Sequence, residues 1–395
     1  MTASHPSEAH PRGRGAPPRL LLLGGGHAHV EVIRRLGLAR AGNCEPLLVS
    51  PSRLTPYSGM LPGFVAGDYG FDDVHVDLSA LCAASDIAFR QGEAAGIDAE
   101  RRSVALADGS VLSYDLLSLD IGSRPSHPSG AQEGIAVKPI ASFAERLPDI
   151  DRLVRSAEHP VRLAVVGQGV AGVEIAFALR RRFARSPDRR PVEILLVGRS
   201  DEPMPSRGVL ARRLVARELR KADITTVDGF DAVAFFDGVL VASDGRRLDV
   251  REVVWTTSSA APPWLRSSGL ALDERGFVRV DRHLRSVSHP AVFAAGDVAS
   301  LYDPRPKSGV FAVRAGPVLH HNLRQALSDA PLRAFRPQRH WLALISLANG
   351  SAIADKWGLA ASGRWVARWK RWSDTSFVER YAIPPRAPSR GGNRP

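Results

Sequence analysis

Three glycines at fixed spacing carry the clearest chemical signal in this chain. The run Leu163–Ala176 has the pattern of an apolar strand, a Gly-x-Gly-x-x-Gly turn (Gly167, Gly169, Gly172) and a helix. Gly167 allows the tight turn, Gly169 lets a pyrophosphate approach the backbone, and Gly172 lets the helix pack close to the strand. The free N–H groups at the start of the helix would bind the phosphate charge. The pattern predicts a dinucleotide site, and the alternative is an ordinary glycine-rich turn.

A second, imperfect copy of this pattern lies far upstream. The run Arg19–His29 is again an apolar strand followed by Gly24 and Gly26, but His29 stands where the third glycine would be. We expect the His29 side chain to hold the helix slightly away from the strand. This copy therefore predicts a second dinucleotide site less strongly than the first.

A short apolar run in the last third of the chain is the third feature that accompanies the two glycine-rich patterns. Val292–Asp297 predicts a buried strand that ends in Gly296 and Asp297. Two dinucleotide loops combined with a strand of this kind are much more specific than any one of the three features.

From Arg19 to Tyr381 the sequence resembles the two-dinucleotide-binding-domain flavoproteins of the pyridine nucleotide–disulfide oxidoreductase superfamily. Within it, the sequence is most similar to type II NADH dehydrogenase-like proteins. Three segments resemble in particular the branch that is fused to, or encoded beside, selenide-water dikinase: Leu54–Gly63, Ser118–Ser123 and Val137–Ile140. The resemblance therefore also implies a functional link to selenide-water dikinase.

The resemblance implies an α/β fold with two Rossmann-like dinucleotide-binding domains, one for FAD and one for NAD(P), and a smaller C-terminal α+β segment. We expect a discontinuous FAD-binding domain at 19–125 and 290–339, an NAD(P)-binding domain at 136–265, and the C-terminal segment at 340–383. Residues 1–18 and 384–395 are predicted to be disordered tails. The first of these has no apolar run, so it is not expected to be a signal peptide.

Several residues are expected to contact FAD by the same resemblance. Asp297 would bind the ribitol, and an Asp at this point could also cap a helical turn, since the two roles are compatible. Ser50 ends the second strand, where related proteins usually carry an acid for the adenosine ribose. The other expected FAD contacts are Gly24, Gly26, His27, Ala28, Pro56, Gly122, Gly296, Phe311 and Ala312.

Glu174 and Lys138 are the expected catalytic residues. Glu174 matches a glutamate near the nicotinamide in related NADH dehydrogenases, or is simply a first-turn helix acid. Lys138 is expected to face the flavin, or else to be a surface lysine. Arg199 follows the apolar run Val192–Val197, and an arginine there can accept the 2′-phosphate of NADPH. Gly172 is compatible with NADH, so both nucleotides remain open.

The implied reaction passes hydride from NAD(P)H to flavin N5 and then electrons to an acceptor. The acceptor is expected to be a quinone or a small sulfur or selenium species. Type II NADH dehydrogenases carry Ala-Gln-x-Ala-x-Gln where this chain has Gly309–Arg314, without either glutamine. The alternative is a flavin-bound interaction or accessory protein in selenium metabolism that turns over little.

The amino-acid composition favours some classes of protein and disfavours others. With 44% hydrophobic and 24% charged residues among 395, the chain has the composition of a soluble globular enzyme. Its two cysteines, Cys44 and Cys82, form no Cys-x-x-Cys pair, which disfavours dithiol exchange and suits a reducing cytoplasm. No metal site is predicted from the histidine spacing. The net charge of +12 comes from arginines spread along the chain, so a solvated surface is favoured over a nucleic-acid site.

The last segment is rich in tryptophan and arginine. Trp365, Trp369 and Trp372 recur at i, i+4 and i+7 and so share one face of a predicted helix, with arginines beside them. Such a helix suits peripheral contact with the inner face of the membrane. It equally suits packing on the protein itself or on a second subunit of a homodimer.

Overall fold

The computed structural model describes residues 16–39, 44–125, 133–186, 191–257 and 259–382. Residues 1–15 of the predicted N-terminal tail and the predicted tail at 384–395 lie outside these ranges. The fold is mixed α/β, as predicted.

Eight α-helices occur in the described residues: α1 (His27–Ala39), α2 (Leu61–Val65), α3 (Leu78–Ala84), α4 (Ile140–Ser156), α5 (Val170–Ala184), α6 (Val209–Lys221), α7 (Gly309–Ala326) and α8 (Arg364–Tyr381). The first strands along the chain are β1 (Arg19–Leu23), β2 (Glu45–Ser50), β3 (Leu54–Pro56), β4 (His75–Asp77), β5 (Ala88–Gln91), β6 (Ala94–Asp98), β7 (Ser103–Leu106), β8 (Val111–Ser113) and β9 (Leu116–Leu119). The middle strands are β10 (Arg124–Pro125), β11 (Ile135–Ala136), β12 (Val161–Val166), β13 (Val192–Val197), β14 (Ile224–Val227), β15 (Ala232–Phe236), β16 (Val239–Ala242), β17 (Arg247–Asp249), β18 (Glu252–Trp255) and β19 (Ser259–Ala260). The last strands are β20 (Val278–Arg279), β21 (Val292–Ala294), β22 (Ala299–Ser300), β23 (Ala343–Ser346), β24 (Ala352–Lys356) and β25 (Leu359–Gly363).

The first large sheet has the order β21-β9-β1-β2-β5, and every neighbouring pair is parallel. Its central strand, β1, is a continuous leucine run with Leu20 to Leu23 buried, as expected for a parallel strand covered on both faces. Strand β21 comes from far downstream and pairs with β9. This pairing brings the turn after β21 to the same edge of the sheet as the glycine-rich turn after β1.

The second large sheet repeats the arrangement with the order β11-β18-β12-β13-β14, again parallel throughout. Helix α5 starts directly after the glycine-rich turn that follows β12. Three antiparallel three-stranded sheets flank the two large ones: β6-β7-β8, β15-β16-β17 and β23-β24-β25. The last of these, with α8, is the C-terminal α+β segment.

Helix α8 is fastened across the first domain by polar and aromatic contacts. The Tyr381 hydroxyl donates to Glu31 in α1 at 2.9 Å, and both side chains are buried. Phe377 stacks on Tyr57 with ring centroids 4.1 Å apart. The Lys370 ammonium donates to the carbonyl oxygen of Gly59 at 2.9 Å. The inner face of α8 therefore covers the loop that follows β3.

None of the helices in the described part of the chain is both long and apolar enough to cross a membrane.

Replacing Tyr381 with Phe removes the bond to Glu31 and keeps the ring. We expect the free energy of unfolding to fall by about 1.5 kcal/mol, because the lost acceptor is a charged carboxylate. Urea denaturation measures the change. The matched control is Tyr302→Phe, which alters an exposed tyrosine and should have no effect. Equal stability of the two variants would contradict the fastening role of this hydrogen bond.

Candidate functional site

The glycines of the loop between β12 and α5 have distinct steric roles. Gly167 has φ +123°, and a Cβ there would lie 2.8 Å from the carbonyl oxygen of Thr256. A Cβ on Gly172 would collide with the carbonyl oxygen of Gly167. Gly169, the N-cap of α5, differs because nothing lies within 4 Å of a Cβ placed on it. The loop thus leaves open space at the helix N-terminus, where a pyrophosphate would bind.

The first loop accommodates His29 by bonding its side chain. The His29 ring is buried and lies 2.6 Å from the Gly24 carbonyl oxygen and 2.8 Å from the Ser118 hydroxyl. Burial lowers the pKa of His29 to about 4, so the ring is neutral. Since a carbonyl oxygen only accepts, Nδ1 donates to Gly24 and Nε2 accepts from Ser118. The His29 side chain therefore fills the space between α1 and β9 and links the two by hydrogen bonds.

Asp120, directly after β9, is the main residue of this region that the sequence did not single out. Its carboxylate accepts from the N–H groups of Ala28 at 2.7 Å and His29 at 3.0 Å, the first turn of α1. A Cβ on Gly26 or on Gly296 would collide with this carboxylate. Both glycines are therefore required by Asp120. An acid directly after a buried, leucine-rich strand was the available signal.

Asp297 lies in the turn after β21 and is held by Lys138. The Lys138 ammonium is 2.6 Å from the Asp297 carboxylate, and the Ser123 hydroxyl donates to the same oxygen at 3.2 Å. Ala295, not Asp297, is the N-cap of this helical turn, so the capping role is not adopted. Gly122, with φ +70°, immediately precedes Ser123. The ion pair joins two of the predicted site residues that lie 159 positions apart in the chain.

A half-buried aromatic group lies beside this pair. His27 lies 5.4 Å from Tyr57 and 5.6 Å from Phe377 between ring centroids. Burial lowers the pKa of His27 to about 4, against the opposing effect of the Asp297 charge. The Ser58 backbone N–H donates to His27 Nε2 at 3.4 Å.

The remaining predicted FAD contacts surround the same region. Pro56 ends β3, and Phe311 and Ala312 lie in the first turn of α7. A Cβ on Gly296 would lie 3.6 Å from the Ala312 methyl group. Ser50 is buried at the end of β2, and its hydroxyl would lie 3.2 Å from a Cβ on Gly25. These residues therefore gather at the carboxyl edge of the first sheet, where ligands of such sheets bind.

Glu174 and Arg199 lie elsewhere. Glu174 faces the C-terminal segment, where its carboxylate accepts from the Ser346 N–H at 2.8 Å. Arg199 is exposed in the turn after β13. Neither residue belongs to the group around Asp297.

A buried set of charges joins Glu174 to α8, and the sequence did not predict it. Lys370 lies 2.9 Å from Asp374 and is the largest opposing charge acting on Glu174. Burial raises the pKa of Glu174, and the Lys370 charge partly offsets this. Burial lowers the pKa of Lys370, but the charges of Glu174 and Asp374 outweigh it and raise the pKa overall. Lys370 therefore keeps its charge, and the pKa of Glu174 lies above its usual value.

Thiol and metal chemistry gain no support from the arrangement. Burial raises the pKa of both cysteines, that of Cys82 to about 12, which disfavours a reactive thiolate. Within the described ranges no group of three or more His, Cys, Asp or Glu side chains could hold a metal ion.

Asp120 predicts a pH-dependent stability. Burial raises its pKa to about 7, the two N–H donors lower it in part, and the Asp297 charge raises it again. Because the folded pKa lies above the unfolded one, this carboxyl favours folding at low pH. Its contribution is lost as the pH rises from about 4 to about 7. Asp120→Asn removes this titration.

We therefore expect Asp120→Asn to gain stability relative to the wild type between pH 4.5 and pH 8, measured as urea unfolding of the cofactor-free protein. Asp115→Asn, next to the same strand, is the control and should follow the wild type. A constant difference between Asp120→Asn and wild type across this range would show that Asp120 is ionised throughout.

Comparison with known proteins finds relatives of similar sequence and a solved structure of similar fold. The NADH dehydrogenase-like protein of Mycobacterium tuberculosis is 28% identical over 77% of this chain and 82% of its own length. Demethylphylloquinone reductase of Synechocystis is 24% identical over 88% of this chain and 89% of its own length. The sulfide:quinone oxidoreductase structure from Aquifex aeolicus superposes with a TM-score of 0.78 over 93% of both chains, at 16% identity.

The predicted superfamily, its NADH dehydrogenase-like character and the α/β fold are confirmed by these comparisons. The predicted cofactors, FAD and NAD(P)H, are those of the family, and the open space at Gly169 and the paired Asp297 fit them. The family model for pyridine nucleotide-disulphide oxidoreductases matches residues 18–316, so this chain belongs to that family and is an FAD-dependent NAD(P)H oxidoreductase.

Proposed function

We propose that this chain oxidises NAD(P)H and passes the two electrons through FAD to a quinone. When bound, the flavin supplies the redox chemistry, accepting hydride and releasing electrons to the acceptor. The observation that carries the choice of acceptor is helix α8. Its inner face covers the Tyr57 loop beside the expected flavin site, while its outer face exposes three tryptophans.

In this proposal the two nucleotide loops have separate tasks. The Gly169 loop binds the pyrophosphate of the nicotinamide nucleotide at the N-terminus of α5. The Gly24–Gly26 loop and the Asp297 turn bind FAD. Lys138 holds the Asp297 carboxylate at 2.6 Å, which fixes the acceptor oxygens for the ribitol hydroxyls.

Glu174 and Lys370 are proposed to handle the protons that quinone reduction consumes. Burial raises the pKa of Glu174, so this carboxyl takes up a proton more readily than an exposed glutamate. Lys370 lies between Asp374 and the Gly59 carbonyl, with its charge acting on Glu174. A carboxyl that exchanges protons beside a fixed cation suits an acceptor whose reduction adds protons.

The outer face of α8 supports a membrane-borne acceptor. The side chains of Trp365, Trp369 and Trp372 are 52%, 40% and 67% exposed, and Arg364 and Arg368 are exposed beside them. Tryptophan with arginine is the combination that binds at the headgroup level of anionic membranes. Demethylphylloquinone reductase of Synechocystis and the sulfide:quinone oxidoreductase of Aquifex aeolicus both have a quinone in their names.

A small sulfur or selenium acceptor is the weaker candidate, because the raised pKa values of Cys44 and Cys82 disfavour a thiol relay. The likeness to the selenide-water dikinase-associated branch stays a prediction from three sequence segments. The accessory-protein alternative is distinguished by stable FAD that neither NADH nor NADPH reduces.

Gly169→Val tests the nucleotide assignment. The new side chain would occupy the open space at the α5 N-terminus, so reduction of bound FAD by NAD(P)H should slow at least tenfold, about 1.4 kcal/mol in activation free energy. FAD content should stay normal. Stopped-flow absorbance of the flavin band measures the rate. Gly96→Val is the control, because its Cβ also meets nothing within 4 Å but lies in β6. Loss of FAD from Gly169→Val would mean that the two loops have the opposite assignments.

The double substitution Trp369→Ser, Trp372→Ser tests the membrane route. We expect binding to vesicles of mixed phosphatidylglycerol and phosphatidylcholine to fall at least about tenfold, since burying an aromatic side chain contributes about 1.5–3 kcal/mol. Reduction of a long-chain quinone in those vesicles should fall with it, while reduction of soluble menadione stays unchanged. Trp357→Ser, an exposed tryptophan in the turn before β25, is the control. Unchanged sedimentation with vesicles would contradict membrane contact by α8.

A further inference from the structure

The end of β13 lacks the acid that commonly binds the adenosine ribose of NADH, and the packing explains why. Gly198 occupies the first position after the strand and is buried. A Cβ on Gly198 would lie only 2.6 Å from the side chain of Gln168. No residue with a side chain fits at this position while Gln168 keeps its place. Gln168 therefore stands in the space from which an aspartate or glutamate would reach the ribose.

The Gln168 side chain is hydrogen-bonded to a carboxylate. It is the variable residue between Gly167 and Gly169, and only 5% of it is exposed. Its Nε2 donates to Oδ1 of Asp228, while its Oε1 is buried without a hydrogen-bond partner among the described residues. A buried amide oxygen without a donor costs free energy unless a ligand supplies one. A ribose hydroxyl is a suitable donor.

Asp228 reaches this point from the neighbouring strand. It follows β14 directly, and the turn that contains it is bonded to the turn after β13. The Phe230 N–H donates to the Gly198 carbonyl oxygen at 2.8 Å, and the Gly229 N–H donates to the Ser200 carbonyl oxygen at 3.0 Å. A carboxylate from β14 thus lies at the end of β13, where this fold binds the adenosine ribose.

We propose that Gln168 and Asp228 together bind the adenosine ribose of the nicotinamide nucleotide, and that Asp228 selects NADH over NADPH. This inference rests on the proposed function, in which the Gly169 loop binds that nucleotide. The vicinal hydroxyls of NADH donate to the Asp228 carboxylate and to Gln168 Oε1. The 2′-phosphate of NADPH offers no such donor and brings negative charge against the carboxylate.

Arg246 contacts the turn that contains Asp228, but other groups hold its guanidinium. Arg246 donates to the Gly229 carbonyl oxygen and pairs with Asp244 at 2.7 Å. It also lies 5.3 Å from the Phe230 ring centroid, so its guanidinium is held on the protein. Arg199 is the competing group, since it is exposed in the turn after β13 and could bind a 2′-phosphate. The two interpretations predict opposite nucleotide preferences.

The test is binding of NAD⁺ and NADP⁺ to the FAD-loaded protein by isothermal titration calorimetry, with no acceptor present. The wild type should bind NAD⁺ at least about tenfold more tightly than NADP⁺, as expected for a charge-assisted hydrogen bond. Asp228→Asn keeps the shape and should remove most of that preference. Asp231→Asn, three residues along the chain and exposed, is the matched control and should keep the preference. Normal FAD content shows that each variant is folded.

Three results would overturn the inference. An NAD⁺ preference that Asp228→Asn leaves intact excludes Asp228 as the selector while the proposed function stands. A wild type that prefers NADP⁺ and loses this preference in Arg199→Ala assigns the selection to Arg199 instead. Failure of the wild type to bind either nucleotide overturns both this inference and the proposed function.

Discussion

The buried carboxylate of Asp120 is the interaction on which the expected FAD site depends. It accepts two N–H groups of the first turn of α1, and it occupies the space that any side chain at Gly26 or Gly296 would need. One carboxylate at the end of β9 therefore bonds the start of α1 and lies against Gly296 in the turn after β21. The position of the Lys138–Asp297 pair depends on this packing, because Asp297 directly follows Gly296.

The two nucleotide loops differ in how the helix packs against its sheet at the third position of the glycine-rich motif. At Gly172 the helix comes so close to the strand turn that only glycine fits. In the first loop the equivalent residue is His29, and its ring bonds across the gap to Gly24 and Ser118. The first helix is thus joined to its sheet by hydrogen bonds and the second by direct backbone contact. Two N–H groups at the N-terminus of α1 also donate to Asp120, whereas a Cβ on Gly169 at the N-terminus of α5 would meet nothing within 4 Å.

Local patterns in the sequence predicted the parts of the fold that local patterns determine. The apolar runs marked the central strands to within a residue or two, and the spacing of Trp365, Trp369 and Trp372 predicted the helix that became α8. The contacts that define the site could not be predicted this way, since each joins residues distant in the chain. The partners of Asp120, the pairing of Lys138 with Asp297 and the bond from Gln168 to Asp228 all depend on strand order, which no single segment encodes.

The proposed choice of acceptor depends on the C-terminal segment. Its charged residues Lys370 and Asp374 point inward to Glu174 and the Tyr57 loop, while its tryptophans point outward. Helix α8 thus has an inner ionic face towards Glu174 and an exposed aromatic face, which we propose meets a lipid-borne substrate. The glutamines found in type II NADH dehydrogenases are absent at 310 and 314, so recognition of the acceptor must use other groups.

Anaerobic double-mixing stopped flow on the wild-type protein tests whether electrons pass from NAD(P)H through FAD to a quinone. One equivalent of NADH or NADPH is mixed first, and a quinone is added after the flavin absorbance has bleached. We expect rapid bleaching with one or both nucleotides, followed by recovery of the oxidised flavin spectrum at a rate that rises with quinone concentration. Flavin that stays oxidised in the first mix, or stays reduced after the second, would contradict this expectation.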